Sequence, residues 1–448
     1  MLKKISKIVS NWGNYPKVKS EIYTTSEKMG LRDLLKNSDD QVIARGMGRC
    51  YGDSALNKNI VSTLAINKFV SFDKTEGVLT CEGGVTFDEV LKVVVPYGYF
   101  LPVSPGTKFV SVGGAIASDV HGKNHHIDGS FSSHVLSLNI VLANGNCISC
   151  SREENSDLFL ATCGGMGLTG IITEATFRLK KIESAYIAQK QIKARHLDEL
   201  LDLFEKHKNA TYSVAWVDCL ATGNSFGRGI LMLGEHAHAS MLTNKQKKNR
   251  LKVHSKPKLN IPFNFPSFVL NTWSIGLFNF LFYNKNYKKI MKGNVHYEGF
   301  FYPLDNIHNW NRMYGKPGFL QYQFVLPLAQ KQVLREIMLL IAKNKKGSFL
   351  SVLKIFGQQN DLMSFPMEGY TLSLDFPNTP TIHKFLEELD QLVLQAGGRI
   401  YLTKDARMAA ETFRASYPNI EEFKSIITKY NHSFKFQSEQ SKRLSILN

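Results

Sequence analysis

The stretch GGAIASDVHGKNHH, residues 113–126, gathers two glycines, an aspartate and three histidines. Three kinds of chemistry fit such a set. His121 and His125 stand four apart, the spacing that turns two imidazoles to one side of a helix and toward a metal. Gly122 and Asn124 between them disfavour a rigid helix, and no Cys, Glu or Asp cluster nearby completes a coordination set, so no metal is expected. His125 and His126 could equally satisfy backbone groups in a loop. Gly113 and Gly114 offer a third chemistry, bare main chain that a phosphate or a larger cofactor can approach closely.

A second glycine cluster, RGMGRCYGD, holds Gly46, Gly48 and Gly52. Its spacing is not that of the dinucleotide fingerprint, and the residues after it, SALNKNIVSTLAINKF, read as loop and strand rather than as an amphipathic helix. It fits a tight turn whose N–H groups approach a pyrophosphate, with Arg45 or Arg49 adding positive charge. In SPGTKFVSVGGA, Pro105 and Gly106 predict another turn before Gly113 and Gly114. Two separate glycine turns, each fed by a strand, suit an extended ligand with a diphosphate and a flat ring. Ordinary turn glycines are the plain alternative for either cluster alone.

The elements that would carry these turns alternate over the first 180 or so residues. QVIARG and GVLTCEGGV read as strands ending at glycine. In TFDEVLKVVVPYG, Thr86 and Glu89 match a capping box, with Phe87, Val90, Leu91 and Val94 on one helical face. HVLSLNIVLANGNCISC has the alternation and Asn-Gly turn of a hairpin. NSDLFLATCGGMGLTGIITEATFRL reads as short helix, glycine turn and strand. From about residue 186 the character changes to a helix at HLDELLDLFEKH, a strand at YSVAWVD, and a basic, aromatic-rich tract over about 244–300. A strand at GFLQYQFVLP follows, then helices at QKQVLREIMLLIAKNKK and TIHKFLEELDQLVLQ, the second stopped by Gly397 and Gly398. ETFRASYPNIEEFKSIITKYN is helical again.

The chain has 448 residues, long enough for two domains, and its 43% hydrophobic and 21% charged content is that of a globular protein. Its net charge of +17 predicts an anionic neighbour: nucleic acid, an anionic membrane surface or a phosphorylated ligand. No zinc finger, helix-turn-helix or RNA-binding motif accompanies that charge, so nucleic acid is not expected. Six cysteines in so long a chain do not form a disulfide framework, and Cys147 and Cys150 are a lone CxxC without a second pair. The basic N-terminus lacks an apolar core and a cleavage site, and no long apolar run appears, so neither a signal peptide nor a membrane span is expected.

RGMGRCYGD, SPGTKFVSVGGAIASDVHGKNHHIDGSF and GGMGLTGII resemble the flavin-binding elements of the vanillyl-alcohol-oxidase (PCMH-type) FAD oxidoreductases. AWVD, WNRMYGKPGFLQYQFVLP, SVLKIFG, SFPMEGY and GGRIYLTKDARMAAETF extend the likeness almost end to end. They narrow it to the branch of that family that acts on a polyprenylphosphoryl-β-D-ribose. The resemblance implies an α+β fold with an FAD-binding domain over 1–184 and a substrate-binding domain over 185–398, built on an antiparallel sheet flanked by helices. Lid and membrane-contact loops would fall at about 244–300, and residues 399–448 would return to the first domain.

The implied cofactor is FAD, wrapped by Arg45, Gly46, Gly48, Arg49, Cys50 and Tyr51 and by Pro105, Gly106, Thr107, Gly113 and Gly114. Ser118, Asp119, Val120 and His121 would line its flavin, Ile171 would lie near its adenine, and Tyr401 would reach back to it. Arg49 stands where several relatives carry a histidine bonded covalently to the flavin, so the FAD here is expected to be non-covalent. Lys404 and His121, in that order, are the implied catalytic residues, with Lys354, Gln321, Gln323, Ser373 and Lys123 as substrate-binding residues. Lys404 could take the hydroxyl proton or place positive charge beside the reduced flavin.

The implied reaction is oxidation of the 2′-hydroxyl to the ketone, completed to the arabinose form by an NAD(P)H-dependent short-chain reductase, with quinone or oxygen taking the electrons. A soluble aldonolactone or alditol oxidase, or a different lipid-linked sugar, is the alternative within enzymes. A flavin-free lipid-binding protein is the alternative outside them. In the basic tract, aromatic residues between lysines fit either a packed core or an interfacial element whose apolar groups meet acyl chains. The expected location is the cytoplasmic face of the inner membrane, held peripherally, with the periplasm as the alternative.

Overall fold

The computed structural model describes residues 2–253, 259–266, 268–359, 361–431 and 433–447. The part of the basic tract at 254–258, and residue 267, lie outside the described residues.

Two small sheets form the amino-terminal part. One has four strands, in the order Lys3–Val9, Val18–Thr24, Asn59–Ser62 and Ile43–Arg45. Its first pairing is antiparallel and the other two are parallel. The other is antiparallel, in the order Phe69–Asp73, Val78–Glu82, Ile171–Arg178, Val135–Val141 and Cys147–Ser151. The expected hairpin closes at Asn144 and Gly145, where Gly145 takes φ +80°. The expected capping box is present: the Thr86 side chain accepts from the Glu89 amide, and the Glu89 carboxylate accepts from the Thr86 amide, at the head of helix Phe87–Val94. The short helix Val112–Ala117 starts under Ser111, whose Oγ accepts from the Gly114 amide.

The larger sheet is antiparallel and eight-stranded. Its order is Ile290–His296, Tyr186–Ala194, Gly229–His236, Tyr212–Val217, Ser351–Phe356, Gly369–Pro377, Phe319–Leu326 and Arg399–Ile400. Side chains alternate across each strand, and the sequence assigns the faces. Leu320, Tyr322, Phe324 and Leu326 turn into the main core, with Leu353, Leu372 and Leu374 from neighbouring strands. Helices Leu197–Lys206, Lys331–Lys343 and Pro380–Gln395 cover that face through Leu200, Leu334, Ile337 and Leu389, all fully buried. Each such side chain contributes roughly 1.5–3 kcal/mol relative to exposure. The residues between them, Gln321 and Gln323, are thereby held on the opposite, polar face. Gln323 pairs with Ser373, Ser373 with Val352, and Val352 with Trp216, so one row crosses four strands.

After strand Arg399–Ile400 the chain crosses to the first glycine turn, where the Tyr51 amide donates to the Thr403 carbonyl at 2.9 Å. The tail is helical as expected, but in two pieces, Ala410–Ser416 and Ile420–Tyr430. Pro418 divides them, because the residue before proline is pushed out of the helical region. The tail packs against the amino-terminal part. Phe436 bridges to Val42, and Arg443 grips Asp53 through two nitrogens while also holding Asp405.

Candidate active site

A cavity of about 990 Å³ lies between the glycine turns and the polar face of the large sheet. It is at the upper end of ordinary ligand-site volumes.

One wall is almost bare backbone. Gly46, Gly48, Arg49, Cys50 and Tyr51 line it, as do Pro105, Gly106 and Thr107, then Gly113, Gly114, Ser118 and Val120. The amides of residues 46–50 donate to no backbone carbonyl among the described residues. Gly48 takes φ +60°, and a methyl on Gly46 would overlap the Ser111 hydroxyl. The Arg49 guanidinium lies 4.1 Å over the Trp12 ring, and Asp305, whose carboxyl burial raises to about 6, accepts from the Lys108 amide beside it. Free amides, a cation and glycines that exclude side chains fit the diphosphate of FAD.

Three expected contacts do not reach the cavity. The Arg45 guanidinium is turned away, donating to Asn11 Oδ1 and, at 2.9 Å, to the Ser10 carbonyl, so it braces the turn from behind. Asp119 is fully buried and accepts from Ser130 Oγ, the Ser132 amide, Gln359 Nε2 and the Ser364 hydroxyl. It fixes the loop that presents Val120 and His121. Ile171 belongs to a core with Leu31, Val42 and Phe436, and Ile172 faces the cavity instead, because successive strand residues point to opposite sides. Tyr401 does line the cavity, and its hydroxyl donates to the Ser118 carbonyl at 2.9 Å.

The histidines are not arranged as a metal set. His121 packs on Phe356, Phe365 and Tyr401. Its Nε2 meets Gln323 Nε2 at 3.0 Å, which makes this ring nitrogen the acceptor and puts the proton on Nδ1, buried without a partner among the described residues. Burial, then the charges of Lys354, His125 and Lys404, hold its pKa well below the usual histidine value, so it is neutral. His125 meets Gln359 at 2.7 Å and His126 the Ala210 carbonyl at 2.9 Å. Among the described residues no group of three or more His, Cys, Asp or Glu side chains could hold a metal.

The opposite wall is polar and cationic, with Gln321, Gln323, Ser373, Lys354, Lys404 and Lys123. Lys404 Nζ stands 4.0 Å over the Tyr51 ring. Burial lowers its pKa to about 8, and Asp375 opposes that fall. Burial takes Lys354 and Lys123 to about 7. Asp375 escaped the sequence reading, although it lies two residues past Ser373 on the same strand face. Its Oδ1 accepts from Gln321 Nε2 at 2.6 Å, its Oδ2 has no partner among the described residues, and burial raises its carboxyl to about 7. The Cys50 thiol, raised by burial, stays protonated, which disfavours it as a nucleophile.

The basic, aromatic tract supplies the roof. Helix Thr272–Asn284 turns Ile275, Phe278 and Phe282 to the cavity, with Phe282 against Trp216. Its inward Asn279 donates to Asp218 Oδ1 at 2.7 Å, which fixes the rotation of the helix. Trp273 is therefore 89% exposed on the other side, with Leu277, Phe280 and Leu281. One face of the helix is packed and the other is bare. No helix among the described residues is long and apolar enough to cross a membrane.

Residues 31–151 match the FAD binding domain family. Decaprenylphosphoryl-β-D-ribose oxidase of Mycolicibacterium smegmatis is 37% identical over 99% of this chain and 98% of its own length. An uncharacterised protein of Streptomyces coelicolor is 31% identical over 81% of this chain and all of its own. Mitochondrial D-2-hydroxyglutarate dehydrogenase of Rattus norvegicus is 30% identical, over 29% of this chain and 26% of its own.

Proposed function

The chain belongs to the decaprenylphosphoryl-β-D-ribose oxidase family, and from that premise we propose that it oxidises the 2′-hydroxyl of a polyprenylphosphoryl-β-D-ribose to the ketone. The observation that carries this reading is one cavity joining a bare-amide wall, enclosed amines on a polar sheet face and an apolar roof. FAD, when bound, supplies the acceptor for the hydride that leaves the sugar carbon. Residues 46–51 and 105–114 hold it through backbone, without a covalent bond, since Arg49 cannot form one.

Lys404 takes the hydroxyl proton. An amine lowered to about 8 is partly neutral at cellular pH and remains basic enough to accept. Neutral His121, with Nε2 occupied by Gln323, presents its Nδ1 proton as a donor. Gln321, Gln323 and Ser373, in register on adjacent strands, orient the sugar. Residues 1–184 carry the cofactor, residues 185–398 the substrate, and the tail from 399 returns Lys404 to the first part.

The outward face of helix Thr272–Asn284, followed by exposed Lys285, Lys288 and Lys289, docks peripherally on an anionic membrane surface, where the prenyl chain resides. The cytoplasmic face is the side proposed. An NAD(P)H-dependent short-chain reductase then completes epimerisation to the arabinose form, and quinone or oxygen takes the electrons. Turnover of prenyl-bearing and prenyl-free ribose phosphate, with the ketone identified, tests the reading. Activity lost with the prenyl chain supports it. Efficient turnover of a free sugar assigns a soluble aldonolactone or alditol oxidase instead.

A further inference from the structure

Among the described residues four lysines line the cavity; Lys285 is exposed at the end of the roof helix, and the other three are enclosed and not equivalent. Lys404 has Asp375 near it, a carboxyl that favours its charged form. Lys354 has no such neighbour among the described residues, where the charges that bear on it, those of Lys404 and Lys123, are both positive. Lys123 Nζ donates to the Phe300 carbonyl and lies 4.4 Å over the Phe300 ring, again with no carboxylate among the described residues. Both residues are firmly placed. Lys354 sits on a central strand opposite Thr371, and the Lys123 carbonyl accepts from the Ser213 amide at 2.8 Å. Enclosed ammonium groups without counter-charge are costly, and an anion entering between them relieves that cost.

We infer that Lys354 and Lys123 form the receptor for the substrate's phosphodiester anion, leaving Lys404 to the reacting hydroxyl. The inference rests on the oxidase reading and deepens it. In a sugar carried on a 1-phosphoryl lipid, the phosphate is on C1 and the hydroxyl to be oxidised is on C2. The anion receptor must therefore adjoin the proton acceptor without coinciding with it. Lys354 meets that requirement: its Nζ lies 5.5 Å over the Phe356 ring on which His121 packs, its strand partner Thr371 shares Gln323 with His121, and the positive charges of Lys404 and Lys123 bear on it. The two non-bridging oxygens of a phosphodiester match two ammonium point charges held on separate elements.

The test uses the full FAD-loaded chain and three probes: farnesyl phosphate, farnesol and inorganic phosphate, each titrated while the flavin absorbance is followed. Lys354→Gln and Lys123→Gln are each expected to weaken farnesyl phosphate about ten- to a hundredfold and to leave farnesol unchanged. Lys354→Arg, which keeps the charge, is expected to stay within about tenfold of the parent, and it serves as the reporter should the glutamine variant lose its flavin. In turnover the glutamine variants raise KM, with kcat within about threefold. Unchanged farnesyl phosphate affinity, or an equal loss for farnesol, overturns the inference. Inorganic phosphate binding as tightly as farnesyl phosphate assigns a free-anion site and also overturns it. Lysine-dependent binding of farnesyl phosphate without oxidation of the ribose lipid would retain the receptor and discard the oxidase reading.

Discussion

Asp375→Asn isolates the energetic cost of one buried carboxyl. Asp375 is 1% exposed, accepts from Gln321 through Oδ1, and leaves Oδ2 without a partner among the described residues. Burial raises its pKa from 3.8 to about 7. A carboxyl raised in this way binds its proton more tightly folded than unfolded. It therefore costs nothing below about pH 4, destabilises progressively as pH rises toward 7, and exacts the full cost above that. At 1.36 kcal/mol per pKa unit, the cost is on the order of 4 kcal/mol. Asparagine keeps an acceptor for Gln321 and cannot ionise, so the variant gains on the parent by that order between pH 4.5 and 8. Urea denaturation of both proteins at matched FAD saturation measures it. Asp305 and Asp390, also raised by burial, titrate in both proteins and cancel in the difference. The same substitution removes the carboxyl that opposes the fall of Lys404, so the rise of kcat/KM with pH moves to lower pH. A stability gap unchanged between pH 4.5 and 8 would refute the reasoning.

Lys404→Met is expected to lower kcat about 10²–10⁴-fold with FAD retained, and to flatten the rise of kcat/KM through about pH 8 seen in the parent. Gly46→Ala pushes a methyl into Ser111 and disturbs the cap of helix Val112–Ala117. It is expected to cost about 1 kcal/mol of stability and to lower the flavin retained on gel filtration. Trp273→Glu with Leu277→Glu is expected to abolish sedimentation with anionic vesicles, since the roof's outward face then carries two carboxylates. Arg443→Met leaves Asp53 and Asp405 buried without their shared cation, at about 3–5 kcal/mol in urea titrations near pH 7. Burial pushes the Asp405 carboxyl up, but Arg443 and Arg407 outweigh it and hold it below 3.8. That stabilisation is present above pH 4 and is lost as pH falls further, so the gap between variant and parent narrows in acid.

Periodicity made the local elements legible. The alternation in LQYQF set Gln321 and Gln323 on one face because Leu320, Tyr322 and Phe324 demanded the other. Thr86 and Glu89 announced their helix in four letters. Ile171, which the resemblance and not periodicity put near the adenine, lies in the core while Ile172 lines the cavity, since one step along a strand exchanges the two faces. Arg45 and Asp119 fall in the right loops, but their partners Asn11, Ser364 and Gln359 lie far away in the chain, and only tertiary packing reveals that they are braces. Asp375 was readable as the single charge in the strand GYTLSLDFP, in step with Thr371 and Ser373. Its electrostatic influence on Lys404 was not, because it acts between two elements the sequence keeps apart. The roof helix is apolar all round, so sequence could not decide which face is bare; the bond from Asn279 to Asp218 decides it.

The most direct measurement of the central claim is anaerobic mixing of the FAD-loaded protein with polyprenylphosphoryl-β-D-ribose while the oxidised-flavin absorbance is followed. Bleaching in a single turnover, with one equivalent of 2′-ketone formed and the rate falling in Lys404→Met, is the expected result. Flavin that stays oxidised with the ribose lipid, or that bleaches equally well with a free sugar, would contradict it.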